Sequence, residues 1–112
     1  MYNFLLMDEN NRLAALTQFV EQNPADAFAR YGLAMEYSRL GQTETALEHF
    51  TKLLELHPDY TNGYFMAAQT LERAGRRSEA KKMLENGIAA AKRAGNQHAQ
   101  REMSAMLEEL DV

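Results

Sequence analysis

Asn11-Arg12-Leu13-Ala14-Ala15-Leu16-Thr17-Gln18-Phe19-Val20-Glu21-Gln22-Asn23-Pro24 lies over Thr45-Ala46-Leu47-Glu48-His49-Phe50-Thr51-Lys52-Leu53-Leu54-Glu55-Leu56-His57-Pro58 at a shift of 34 residues. Leu13 falls on Leu47, Leu16 on Phe50, Phe19 on Leu53, Val20 on Leu54, Glu21 on Glu55 and Pro24 on Pro58. The register continues downstream: Leu40 meets Ala74, Gly41 meets Gly75 and Ala46 meets Ala80. A fixed period of this length marks an array of stacked helical hairpins, each of which buries its apolar face against the next. Arrays of this kind bind other proteins more often than they catalyse reactions.

Working outward from the repeat, the apolar spacing predicts six helices and needs no strand. The first covers about Glu9 to Gln22, with Leu13, Leu16, Phe19 and Val20 at helical intervals. The second starts at Asn23-Pro24-Ala25-Asp26, where Asn23 can cap, Pro24 suits the first helical position and Asp26 favours the positive helix end. It runs to about Leu40 and stops at Gly41; the third spans Thr43 to Leu56. His57-Pro58-Asp59 repeats the proline start, with His57 as a cap, and the fourth helix ends at Gly75. The fifth covers Ser78 to Ala94 before Gly95, and Asn96 opens the sixth, which carries Ala99, Met103, Met106, Leu107 and Leu110 on one face. Links this short make consecutive helices antiparallel neighbours.

Composition bounds the chemistry. The 112 residues suit one domain, and a hydrophobic share of 46% is ample for a core. With no Cys, disulfides, thiolate zinc sites and cysteine nucleophiles are excluded. No apolar run reaches the roughly 18 residues of a membrane span, so a cytoplasmic protein without membrane partners is expected. The net charge of −4 argues against nucleic acid as the main target. It is unevenly spread: residues 1–72 carry −6, residues 73–93 carry +5 and residues 94–112 carry −3. The basic stretch reads either as a solvated helix face or as a docking surface for an acidic partner.

The hairpin pattern resembles the tetratricopeptide repeat family. In the repeat 24–58, Leu33, Ala34 and Tyr37 on the first helix, and Ala46, Phe50 and Pro58 on and after the second, stand where that motif has its small and large residues. In the repeat 59–93 the matches are Tyr64, Ala67, Ala68, Leu71, Ala80 and Leu84. Alanines let two helices approach closely, and the rings and leucines fill the spaces left between them. Departures are Arg30 in place of a large aromatic, Leu53 and Gly87 in place of alanine, and Lys92 in place of the closing proline. A half repeat (9–23) precedes the two full ones, and a closing helix (96–110) follows them, fitting only with one residue inserted. The resemblance implies an all-α, antiparallel helix-hairpin solenoid, a right-handed superhelix with one concave side.

It also implies that the first helix of each pair lines that concave side. Carried over by residue, the wall is Phe28, Tyr31, Met35, Ser38 and Arg39 from one repeat, and Asn62, Phe65, Gln69, Glu72 and Arg73 from the next. Spacing supports part of this independently. Phe28, Tyr31 and Met35 run at i, i+3 and i+7, off the Leu33, Ala34 and Tyr37 stripe that already supplies a core face. Surplus apolar surface of this kind is either a contact site or packing against a neighbouring helix. Arg39 and Arg73 recur at the same 34-residue spacing, either to clasp a carboxylate or to meet the helix-end dipole. Tyr31 and Met35 occupy places where some family members carry the Lys and Asn that grip a peptide carboxylate, so that clamp is not expected.

No catalytic, cofactor or metal constellation accompanies the repeats. His49, His57 and His98 lack the i, i+4 pairing of a metal site, and His49 is expected to face solvent. No glycine-rich phosphate loop occurs, and Ser38, Ser78 and Ser104 have no matching His and Asp. Glu48 with Lys52 and Glu72 with Arg76 suit surface ion pairs at i, i+4. The apolar N-terminal segment (1–8) has no place in the repeat: it extends the first helix, fills a groove or is disordered, and self-association through it is one expectation. The sequence thus predicts an adaptor for a protein or peptide segment, with a self-assembling, homo-oligomeric module as the alternative.

Overall fold

A short polar side chain, not a proline, starts the second helix. Asp26 is extended, and its carboxylate accepts a hydrogen bond from the Ala29 amide at 2.8 Å, satisfying one of the orphan donors of a helix start. Asn23, expected to cap this helix, closes the one before it: its backbone amide and its Nδ2 both donate to the Phe19 carbonyl, at 2.9 and 3.1 Å. Pro24 and Pro58 accordingly lie in the turns, outside the helices they precede. His57 likewise ends a helix, through its amide on the Leu53 carbonyl. Its ring Nε2 lies 2.8 Å from the Ala25 carbonyl, which ties together two turns of successive repeats.

The computed structural model describes residues 9–111. Six helices follow one another: α1 (Glu9–Gln22), α2 (Ala27–Arg39), α3 (Thr43–Leu56), α4 (Thr61–Arg73), α5 (Arg77–Ala94) and α6 (Gln97–Leu110). There is no strand among the described residues. The apolar segment 1–8 lies outside them, and with it the expectation of self-association. Gly41 and Gly75 adopt φ of +77°, and each closes its helix in the same way. Gly41 N–H donates to Ser38 and Gln42 N–H to Tyr37; Gly75 N–H donates to Glu72 and Arg76 N–H to Leu71. This paired closure needs a left-handed residue, which glycine provides without Cβ strain.

Each helix packs on its neighbours in sequence, and α2 also touches α4 while α4 touches α6. The core is therefore three clusters in series. Val20, Ala29 and Leu33 join α1 to α2; Ala34, Ala46, Phe50, Leu53 and Ala67 join α2, α3 and α4. The largest, around Ala68, Leu71, Leu84 and Met103, joins α4, α5 and α6. A stack of this kind is elongated: its extents are 43 × 29 × 21 Å, and its radius of gyration is 14.4 Å, against about 13 Å for an ordinary domain of this length.

Ion pairs bind one repeat to the next. Arg76, the residue before α5, meets both Glu44 of α3 and Glu79 in the first turn of α5. Glu72 is not its partner, because Gly75 separates the two residues and no common helix face exists. Lys52 has no ion-pair partner among the described residues, so the expected pair with Glu48 is also absent. The basic stretch is largely engaged in the same way. Arg77 donates to the Leu110 carbonyl at 2.7 Å, Lys81 meets Asp111 at 2.6 Å and Arg93 meets Asp59 at 3.3 Å.

Candidate functional site

The even-numbered helices form one wall, α2–α4–α6, and the odd-numbered helices form the other. Helix α2 touches α4 and α4 touches α6, so the even-numbered helices lie closer together and the stack curves towards them; a second groove lies between α3 and α5 on the other wall. On this inner side a groove of about 560 Å³ runs between α4 and α6. Phe65, Gln69, Glu72 and Arg73 supply one bank; Glu102, Ala105, Met106, Glu109 and Leu110 supply the other.

Three residues named from the sequence, Phe65, Gln69 and Arg73, meet in that groove, and Asn62 is exposed one turn before Phe65. Phe65 is half-buried against the core of α4, α5 and α6, so its ring is both floor and packing. On α2 the expected stripe divides. Phe28 is 77% exposed and belongs to no core cluster. Tyr31 and Met35 are half-buried against the α2–α3–α4 core. Tyr31 lies 5.4 Å from Tyr60, centroid to centroid, with the rings tilted. Burial raises the Tyr31 hydroxyl above the usual tyrosine range, and Tyr60 adds to the effect; both rings are neutral hydrogen-bonding groups near pH 7.

Ser38 is not on the free wall. It is buried between α2 and α4, with its hydroxyl 2.6 Å from the Thr70 hydroxyl. Thr70 donates its only proton to the Met66 carbonyl at 2.8 Å, so Ser38 is the donor to Thr70. Arg73 donates to Ser38 at 2.7 Å. The guanidinium is thereby held across from α4 to α2 and makes no ion pair among the described residues. Arg39, its counterpart one repeat earlier, is exposed and bonds Glu36 at 2.9 Å. That bond, helped by Arg12, holds the Glu36 carboxyl below the usual range against an opposing effect of burial.

His49 does not face solvent. It stacks on Tyr37 at 5.6 Å with the rings 3° from parallel, and its Nδ1 is 3.4 Å from the Arg30 guanidinium. Arg30, in place of a family aromatic, thus sets its guanidinium against the edge of a histidine ring, and it also donates to the Pro24 carbonyl. Among the described residues no group of His, Asp and Glu is arranged to hold a metal ion, and no helix is long and apolar enough to cross a membrane.

The α6 bank was not foreseen from the sequence; Met106 and Leu110 do pack on the core stripe expected for them, and they also border the groove. Its one signal is Glu102, Met106 and Glu109 at i, i+4 and i+7, a mixed face on a helix whose core needs are met by Ala99, Met103 and Leu110.

Two tetratricopeptide repeat models match this chain, one over residues 37–103 and the other over residues 7–65. The chain belongs to the tetratricopeptide repeat family. A TPR repeat-containing protein of Pseudomonas aeruginosa is 29% identical over 99 residues, 88% of this chain and 94% of the relative. The solution structure of a tetratricopeptide repeat domain protein from Salinibacter ruber is 31% identical, covers 78% of this chain and 88% of that one, and gives a TM-score of 0.72. PcrH, solved with the chaperone binding region of PopD, gives a TM-score of 0.83 at 19% identity, over 92% of this chain and 78% of that one. For this tetratricopeptide array the last likeness concerns the fold. Tetratricopeptide repeat domains are in general interaction modules without catalysis, and the fold supports protein–protein interaction as the general role.

Proposed function

We propose that this chain is an adaptor that holds a peptide or protein segment along the α2–α4–α6 wall, with Phe28, Tyr31, Met35, Asn62, Phe65 and Gln69 in contact with it. The observation that carries the reading is the α4–α6 groove. It combines a half-buried aromatic floor at Phe65 with the amide of Gln69 and a guanidinium fixed by a buried hydroxyl pair. Apolar area supplies affinity in such sites, and a few positioned polar groups set direction. PcrH with its PopD region, and the TPR2B domain of yeast Sti1 in its pHsp70 complex (TM-score 0.83), lend support as relatives in fold that hold partner segments. A cytoplasmic setting belongs to the same reading.

Selection of a displayed library of twelve-residue peptides on the chain, followed by NMR mapping of the enriched peptides, tests it. Shifts centred on Phe65, Gln69 and Met106 support the adaptor. Shifts confined to α3 and α5, or failure to enrich any peptide, reject it.

Phe19, Phe28 and Leu56, all exposed, favour self-assembly as the second reading. A mass in sedimentation that rises with concentration, and falls back in Phe28→Ser, favours it over the adaptor.

A further inference from the structure

The charge of the α4–α6 groove is one-sided. Three carboxylates, Glu72, Glu102 and Glu109, face one guanidinium, Arg73. Arg73 bonds Ser38 and pairs with none of them, and its single charge leaves three carboxylates against one cation. Among the described residues Glu102 has only His98 beside it, at 3.1 Å on an exposed turn. Glu72 and Glu109 are exposed and have no ion-pair partner among the described residues. With them in the lining are Phe65 and Met106, both half-buried, and the exposed Ala105. Elsewhere the carboxylates Glu36, Glu44, Glu79, Asp59 and Asp111 are each matched by a basic side chain. Glu48 and Glu55 are also without ion pairs among the described residues and line the α3–α5 groove, but Lys52, Arg76 and Lys82 line it with them. The α4–α6 groove instead sets three acidic residues against one basic residue.

We propose that the segment bound between α4 and α6 is basic: an apolar side chain seated on Phe65 and Met106, flanked by Lys or Arg that meet Glu72, Glu102 and Glu109. This rests on the adaptor reading and names the chemistry of its partner. Paired charges at an interface rim favour the right partner and repel the wrong one. The gain is modest per exposed pair and is screened by salt.

Two labelled seven-residue peptides, one alternating lysine with leucine and the other glutamate with leucine, are titrated by fluorescence anisotropy and mapped by NMR. The lysine peptide is expected to bind about tenfold more tightly at low salt, with shifts at Phe65 and Met106. The double variant Glu72→Gln/Glu109→Gln should weaken it about fivefold. Glu48→Gln/Glu85→Gln, which changes net charge equally on α3 and α5 and not in the groove, should leave binding unchanged. Equal losses in both double variants would mean attraction to net charge alone and overturn the proposal. Glutamate binding as tight as lysine binding, with groove shifts, overturns the basic partner but keeps the adaptor reading. Shifts confined to α3 and α5 reject both. Absence of binding by either peptide rejects the basic preference, leaving the library selection to judge the adaptor.

Discussion

Ser38 and Thr70, 32 residues apart in sequence, share a 2.6 Å hydrogen bond in the buried seam between α2 and α4. Both belong to the first helix of a hairpin, so the bond joins one repeat to the next, beside the Arg73 guanidinium that also reaches Ser38 across the seam. Removing the Thr70 hydroxyl leaves the Ser38 proton without its acceptor. Removing the Ser38 hydroxyl leaves Arg73 without its acceptor while Thr70 keeps its bond to the Met66 carbonyl, so the shared bond is counted in both losses. Ser38→Ala and Thr70→Val should each cost about 1 to 3 kcal/mol in urea unfolding. The double variant should cost clearly less than the two together. Additive losses would show that the hydroxyls do not act as a pair.

Gly87 stands where the family pattern has alanine, and the packing supplies the reason. A Cβ there would come 2.6 Å from the Tyr64 Cβ and run into the Met103 sulfur. The Tyr64 ring has little room to retreat, since its hydroxyl is held on the Pro58 carbonyl at 2.7 Å. Gly87→Ala should therefore destabilise by about 1 to 3 kcal/mol despite alanine's better helix propensity. Gly32 offers the contrast. A Cβ on it would meet only the Leu16 Cδ2, at an ordinary 3.5 Å. Gly32→Ala should stabilise by about 0.5 to 1 kcal/mol. Thermal melts of the two variants moving in the same direction would contradict this account.

Much of this was legible in the sequence because burial repeats every hairpin. Ala34, Ala46, Ala68 and Ala80 were read as close-approach residues, and all four are fully buried. The helix starts were misread because a proline before an apolar run suits either a first turn or the preceding link; the Asp26 side chain, not Pro24, decides. The α4–α6 groove was half legible. Its banks come from different repeats, and the glutamates of α6 look like any solvated face until α4 is set beside them. His49 was invisible as a packed residue because its ring partner, Tyr37, lies across the hairpin on α2.

Exposure separates binding from stability among the aromatics. Phe28 is 77% exposed, whereas Phe50 has no exposed surface. Phe28→Ser should change unfolding free energy by no more than about 0.5 kcal/mol, while Phe50→Ala should cost about 3 to 5 kcal/mol. If Phe28→Ser destabilises the chain by as much as a core change, its ring is covered in solution and the free surface assigned to it does not exist.

Acid should weaken this fold in two stages, and the first belongs to His49. Burial lowers the His49 imidazole below its ordinary value, and the Arg30 guanidinium reinforces this against a smaller opposing effect of Glu48. The folded state therefore favours neutral His49. Its contribution is fully present above the unfolded value of about 6.5 and is lost as pH falls through the lower folded value. Glu36 follows, because its hydrogen bond with Arg39 lowers the folded carboxyl; that contribution holds above about pH 4.3 and disappears further into acid. Urea midpoints measured from pH 8 down to 4 should be flat at the alkaline end and begin to decline below about pH 6.5. In His49→Gln the decline should be absent until the carboxylate range is reached. A His49→Gln profile parallel to that of the unaltered chain would mean that protonating the ring costs nothing, and that its stack on Tyr37 beside Arg30 is open to water.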